Sequence, residues 1–243
     1  MAAAWIGFGG GLIAAVISAV VAVRQSRMDQ RLAQLNHDLD VEVHKREAII
    51  DRDIAAEAVL ARYSEPLAAA AFDLQSRLYN ILTMDFFGLY GEGHPRAEDA
   101  MRTTVFRMAQ YFGWTEILRR EIQFLNFPED AETRAVARLQ AEISNRFLTH
   151  QGGTDLMIWA DEQRAIGERM LVEDNGSLRC MGYAAFRDHC ADIFAPWWER
   201  LQAELKEEPS RARMRDVQHL LCDLVTKLDD RHVRYDPEYL RPA

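Results

Sequence analysis

Residues 2 to 23 carry no charged side chain, and the run ends abruptly at Arg24. A helix of that length covers about 33 Å, against a hydrocarbon core of about 30 Å, and satisfies its own backbone amides in lipid. The segment 1–23 therefore reads as a single transmembrane anchor. A secretory signal peptide would place basic residues before a shorter apolar stretch. Nothing basic precedes Trp5, and Val20-Val21-Ala22 is only a weak cleavage match. A buried helix of a globular domain would keep a polar face over such a length. Arg24, Arg27 and Arg31 follow the run with no basic residue before it, so the expected orientation is N-terminus outside and body cytoplasmic.

Within the anchor, Ala3, Gly7, Gly11, Ala15 and Ala19 fall on one ridge, and Gly7 and Gly11 make a GxxxG pair. Small ridges let helix backbones pack closely in lipid, which suggests self-association. A second ladder of Gly10, Ala14, Ser18 and Ala22 weakens that signal by showing that the whole segment is rich in small residues.

From Arg24 to Arg62 the chain is polar and lacks Gly and Pro, as a juxtamembrane helix would. Met28, Leu32, Leu35 and Leu39 follow the 4-3-4 spacing of a coiled-coil seam. Continued in register, the seam meets Glu42, Arg46 and Asp53, whereas Val43, Ile50 and Ile54 fit a shifted one. The segment is thus a short dimeric stalk with a stutter or a lone solvated helix. Tyr63-Ser64-Glu65-Pro66 resembles a helix start and sets the expected boundary between stalk (24–62) and body (63–232).

Helical spacing dominates the body. Leu67, Ala71, Leu74, Leu78 and Ile81 begin a broad apolar face extending towards Tyr90, with Asp73 and Arg77 expected as a surface pair. A long helix from Glu98 to Phe127 follows, bent or interrupted at Gly113. Val136 to Phe147 and Leu156 to Met170 make two more, the second ended by the turn Asp174-Asn175-Gly176-Ser177. Phe186 to Leu205 keeps the spacing with a bend at Pro196, and Met214 to Leu228 precedes a polar tail, 233–243. No alternating stretch suggests a sheet. The expected fold class is all-α: one transmembrane helix, a juxtamembrane helix and a bundle of about six helices.

Composition excludes more than it assigns. A net charge of -9 argues against a phosphate-binding surface, so no nucleic-acid partner is expected. Cys180, Cys190 and Cys222 are an odd number without disulfide-framework or zinc spacing, which agrees with reduced thiols. Only three of the 29 basic residues are lysine, the usage of a GC-rich bacterial genome, which places the anchor in a bacterial inner membrane.

No HExxH, GxSxG, Walker loop or CxxC is present, and no catalytic, cofactor-binding or metal-binding residue is assigned. Asp188, His189, Cys190 and Asp192 point in different directions on a helix; His219 and Cys222 share a face but give too few ligands. The acidic residues Asp161, Glu162 and Glu168 are expected to pair within their helix, for example Glu168 with Arg164. Gln75 and Asp85 project into an apolar sector, and Trp198 stands beside a Trp197 that faces the core. These three are the candidate pocket or partner-contact residues.

The segments Arg62 to Leu67, Ala70 to Ile81, Gln110 to Trp114, Glu116 to Glu121 and Glu162 to Glu168 resemble a group of single-pass, all-helical membrane proteins of GC-rich bacteria. The resemblance implies an anchored helical body and no activity. Three functional readings follow. The first is a membrane-tethered cytoplasmic module that binds a protein partner or itself, as sensor, scaffold or defence component. The second is an enzyme or small-ligand receptor, whose pocket would gather Gln75, Asp85, Glu162 and His189 in one concavity. The third is an effector that oligomerises and perturbs the bilayer.

Overall fold

The computed structural model describes the backbone of residues 4–122, 131–151, 153–174, 176–229 and 231–243. Side chains are described over the same residues except 4–23, 26, 29, 33, 52, 53, 56, 57, 122, 131, 132, 192 and 193. The chain divides into two units, residues 1–51 and residues 52–243.

The first unit is helical over its described length and belongs to α1 (Ala4–Thr83). Its side chains from residue 24 onward are solvent-exposed wherever described, and its pairs Arg46 with Glu42 and His44 with Glu47, both at 3.3 Å, are surface contacts. Such pairs contribute about 0.3–0.5 kcal/mol each. Among the described residues no helix is long and apolar enough to cross a membrane. The apolar run itself, with Ala3, Gly7, Gly11, Ala15 and Ala19, lies outside the residues whose side chains are described.

The second unit is helical as expected, with one exception. It holds the end of α1, then α2 (Phe86–Leu89), α3 (Ala97–Ile122), α4 (Ala131–Leu148), α5 (Ala160–Arg169), α6 (Tyr183–Ile193), α7 (Ala195–Glu204) and α8 (Ser210–Leu228). A 3-10 turn, Pro237–Tyr239, follows. The exception is an antiparallel hairpin of β1 (Leu171–Asp174) and β2 (Ser177–Cys180), pairing Leu171 with Cys180 and Asp174 with Ser177. Gly176, between the two strands, has φ 74°, a conformation glycine adopts without steric cost. Two short strands suffice because Leu171, Leu178 and Cys180 pack on the helical core.

Pro66 sits inside α1 rather than at the start of a new helix. Its missing N–H costs the helix one bond, and the flanking burial of Tyr63, Leu67, Ala70 and Ala71 holds the segment in place. Val59 and Leu60 are partly buried against the core, and full burial begins at Tyr63. Leu67, Leu74, Leu78 and Ile81 then share one core with residues of α3 to α8.

Gly113 does not break α3. It lets α3 and α5 approach: a Cβ there would stand 2.8 Å from Met170 Cβ and 2.7 Å from Cys180 Sγ. Gly167 of α5 does the same from the other side, where a Cβ would lie 2.7 Å from the Phe112 carbonyl oxygen. Two helices that exchange glycines at their crossing bring backbones into contact distance, so Ile117 and Ile166 are almost wholly buried. The expected helix over Phe186 to Leu205 is two helices, because Phe194 ends α6 and Pro196 opens α7.

Candidate functional site

The residues singled out in the sequence do not converge. Gln75 is fully buried between α1 and α8. Asp85 is exposed, in the left-handed region at φ 49° before α2. Glu162 is half-buried, accepting from Arg200 Nη2 at 2.9 Å and from the Trp159 backbone N–H at 2.9 Å. His189 is exposed, its ring 2.9 Å from the Ala185 carbonyl one turn earlier. Trp198 and Trp197 are both half-buried against the core, because α7 is short and straddles it. Glu168 pairs with Arg120 of α3 at 3.0 Å rather than with Arg164, which meets Asp161 at 3.8 Å. The space between Val105, Met108, Phe112, Ile158 and Phe194 is apolar and has no room for a water molecule. No three metal-ligating side chains gather among the described residues.

Three arrangements were not legible in the sequence. The first centres on Glu116, which is 2 % exposed and accepts from Arg119 Nε at 2.7 Å and Arg120 Nε at 2.6 Å. Burial alone would raise its carboxyl; the two guanidinium donors outweigh that and hold it below the ordinary range. Arg120 also reaches Glu168 at 3.0 Å, so the Arg120 guanidinium, held by the buried Glu116, links α3 to α5 beside their glycine crossing.

The second is Arg213 of α8, whose guanidinium is buried yet faces carbonyls rather than a carboxylate. Nε donates to Asp155 O at 2.9 Å, Nη2 to Gly153 O at 2.7 Å, and Nη1 to Thr149 O at 2.7 Å and to Arg146 O. The carbonyls of Arg146 and Thr149 lie at the end of α4, where helix acceptors lack intrahelical partners. Desolvation lowers the Arg213 pKa, opposed by Asp155 and Glu204. The same loop carries the buried Leu156 at φ 53°, whose N–H donates to Glu204 Oε2 at 3.0 Å. A bulky residue in that region is strained, and the Arg213 and Glu204 contacts hold it there.

The third is Arg77, expected as a surface partner of Asp73. It is 9 % exposed, stacks over the Phe86 ring at 4.0 Å and makes one long bond, 3.4 Å, to Thr103 Oγ1. Burial, then the neighbouring Arg107, depresses its pKa to about 10. The group remains charged at neutral pH, and its cost is offset by the ring face beneath it.

Two surfaces stand out. One is the α1 stripe of Met28, Leu32, Leu35, Leu39, Val43 and Ile50, each 50–62 % exposed. The other is the groove between α1 and α8, which holds the C-terminal segment; that segment was expected to be a polar tail. It is brought back by Asp229, whose carboxylate accepts the N–H groups of Val233, Arg234 and Tyr235 at 2.9–3.0 Å. Tyr235 then stacks on Phe72 at 4.5 Å, and Leu240 packs against the core. Alternation of Pro and charge hid this docking, since the anchoring groups are main-chain atoms.

Comparison with protein-family models, with curated proteins and with solved structures found no match to this chain.

Proposed function

We propose that the chain is a membrane-tethered helical module, anchored by residues 2–23, that pairs with a second copy through the helix following the anchor and offers its body to a protein partner at the cytoplasmic face. The observation that carries the reading is the exposed stripe Met28, Leu32, Leu35, Leu39, Val43 and Ile50. Six apolar side chains at helical spacing stand in solvent on a helix with no internal cover among the described residues. Their cheapest cover is an identical stripe, since each Leu removed from water contributes about 1.5–3 kcal/mol. The steps of 4, 3, 4 and 4 residues from Met28 to Val43 carry the seam across the stutter, with Arg46 its polar interruption and Ile50 its continuation.

The charge-free run and its flanking arginines support the tether. The body supports the binding role in a different way: its buried charges are committed to holding helices together, and its candidate polar residues are dispersed. Oxidative crosslinking of Leu35→Cys in native membranes tests the reading. A disulfide-linked dimer, missing in the parent chain and in an exposed-face control Gln34→Cys, is expected. Monomer alone would overturn the pairing.

A further inference from the structure

Two glutamines, both wholly buried, face each other from α1 and α8 and direct their amides at a third segment. Gln75 Nε2 donates to the Tyr239 carbonyl at 3.0 Å. Gln218 Nε2 donates to the Arg241 carbonyl at 2.9 Å, and Gln218 Oε1 accepts the Ala243 N–H at 3.1 Å. Gln218 Nε2 also reaches Gln75 Oε1 at 3.2 Å, so the two amides fix one another's orientation. His219 Nε2 lies 3.2 Å from the Ala243 carbonyl oxygen and closes the row.

The residues addressed are 239, 241 and 243. Tyr239 closes the 3-10 turn Pro237–Tyr239 and residues 240–243 follow it without regular structure, every contact being to main chain. The intervening Leu240 supplies the apolar anchor, and Arg241 turns outward to meet Glu238 at 3.0 Å. Main-chain bonds for affinity with an apolar side chain for selectivity is a recurring division in peptide recognition. The two glutamines are wholly buried with the segment in place, and the segment supplies partners to both of their amides.

We propose that the α1–α8 groove is a peptide site, reading main-chain atoms, which residues 239–243 fill in cis, and which takes the same segment from a second copy in trans. The second copy is the favoured occupant because its segment already matches the groove atom for atom. Residues 236–238, which lie beyond the Asp229 bonds and the Tyr235 ring contact, are exposed and form the joint about which the segment would swing out. The site does not depend on the anchor or on pairing through α1. Tethering would raise only the effective concentration of the competing segment.

Two measurements test this. In the first, a labelled peptide of residues 235–243 is titrated by anisotropy against the full chain and against a chain ending at Asp236. Binding at least tenfold tighter to the shortened chain is expected, because the cis competitor is gone. A peptide N-methylated at Ala243 should lose at least tenfold. No binding to a shortened chain that keeps its helical circular dichroism, or equal binding to both chains, would overturn the cis site. The second needs no truncation and is compared in a background without the α1 stripe contact, Leu35→Glu. Full-length His219→Cys and Ala243→Cys, mixed and oxidised, should give a disulfide-linked heterodimer that neither gives alone, and the double variant an intramolecular link. An intramolecular link without any heterodimer would overturn the trans arm.

Discussion

Arg213→Met removes the guanidinium that ties α8 to the end of α4 while keeping an unbranched side chain of similar reach. Four carbonyls lose a charged donor: Arg146, Thr149, Gly153 and Asp155. Bonds to a charged group contribute about 1.5–3 kcal/mol each when taken singly. They do not add, because one side chain makes all four and loses its own hydration in doing so, as its depressed pKa shows. Loss of a buried, hydrogen-bonded charge of this kind costs about 3–5 kcal/mol. For a body of this size that corresponds to a fall in Tm of about 6–20 °C.

Arg213→Lys should recover only part of the loss, since one ammonium cannot fork to carbonyls on opposite sides. The assays are urea unfolding followed by circular dichroism and amide exchange at Ile158, whose N–H bonds to the Phe147 carbonyl at 2.9 Å. That amide should lose protection before the amides of α3. A loss below about 1 kcal/mol in Arg213→Met, or a lysine variant equal to the parent, would refute the view that this guanidinium closes α4.

Further outcomes follow from the same contacts. Gly167→Ala should destabilise by about 1–3 kcal/mol, since the new Cβ meets the Phe112 carbonyl oxygen and the backbone must move; a neutral result in thermal unfolding would contradict the close crossing. Glu116 has a folded pKa below its unfolded value, so its contribution is present above about pH 4.5 and fades as pH falls through the folded value; Glu116→Gln should flatten the unfolding-against-pH curve there, and unchanged curvature would count against it. Burial pushes the Cys180 and Cys222 thiols up to about 12, leaving about one thiolate in 10,000 at pH 8, so both should resist iodoacetamide until the chain unfolds; rapid native labelling followed by mass spectrometry would contradict this.

Periodicity made the helices legible and left their joints obscure. Met214, Val217, Leu221 and Leu224 announced α8 because each points at the core. The same one-dimensional pattern ran Leu156 and Trp159 into a helix with Ile166, although Leu156 is left-handed and α5 starts only at Ala160. A buried apolar residue looks alike in a helix and in a strained loop. Gly113 looked like a weak point because its propensity is local, whereas its use is tertiary: it faces another helix. Arg77 looked like a surface charge and Arg213 drew no notice, because no pattern along the chain says whether a guanidinium turns towards solvent, an aromatic face or a helix end. Helical spacing set Gln75 in an apolar sector, and it is buried; its hydrogen-bond partner Gln218 could not be paired with it without knowing that α8 lies beside α1.

The proposed tether requires residues 2–23 to be embedded in lipid. Carbonate extraction of membranes from cells making the full-length chain, with immunodetection of the body and determination of the N-terminus, tests it most directly. An intact chain that stays with the pellet and is released only by detergent is expected. A chain washed into the supernatant, or one whose N-terminus begins beyond Ala22, would contradict it.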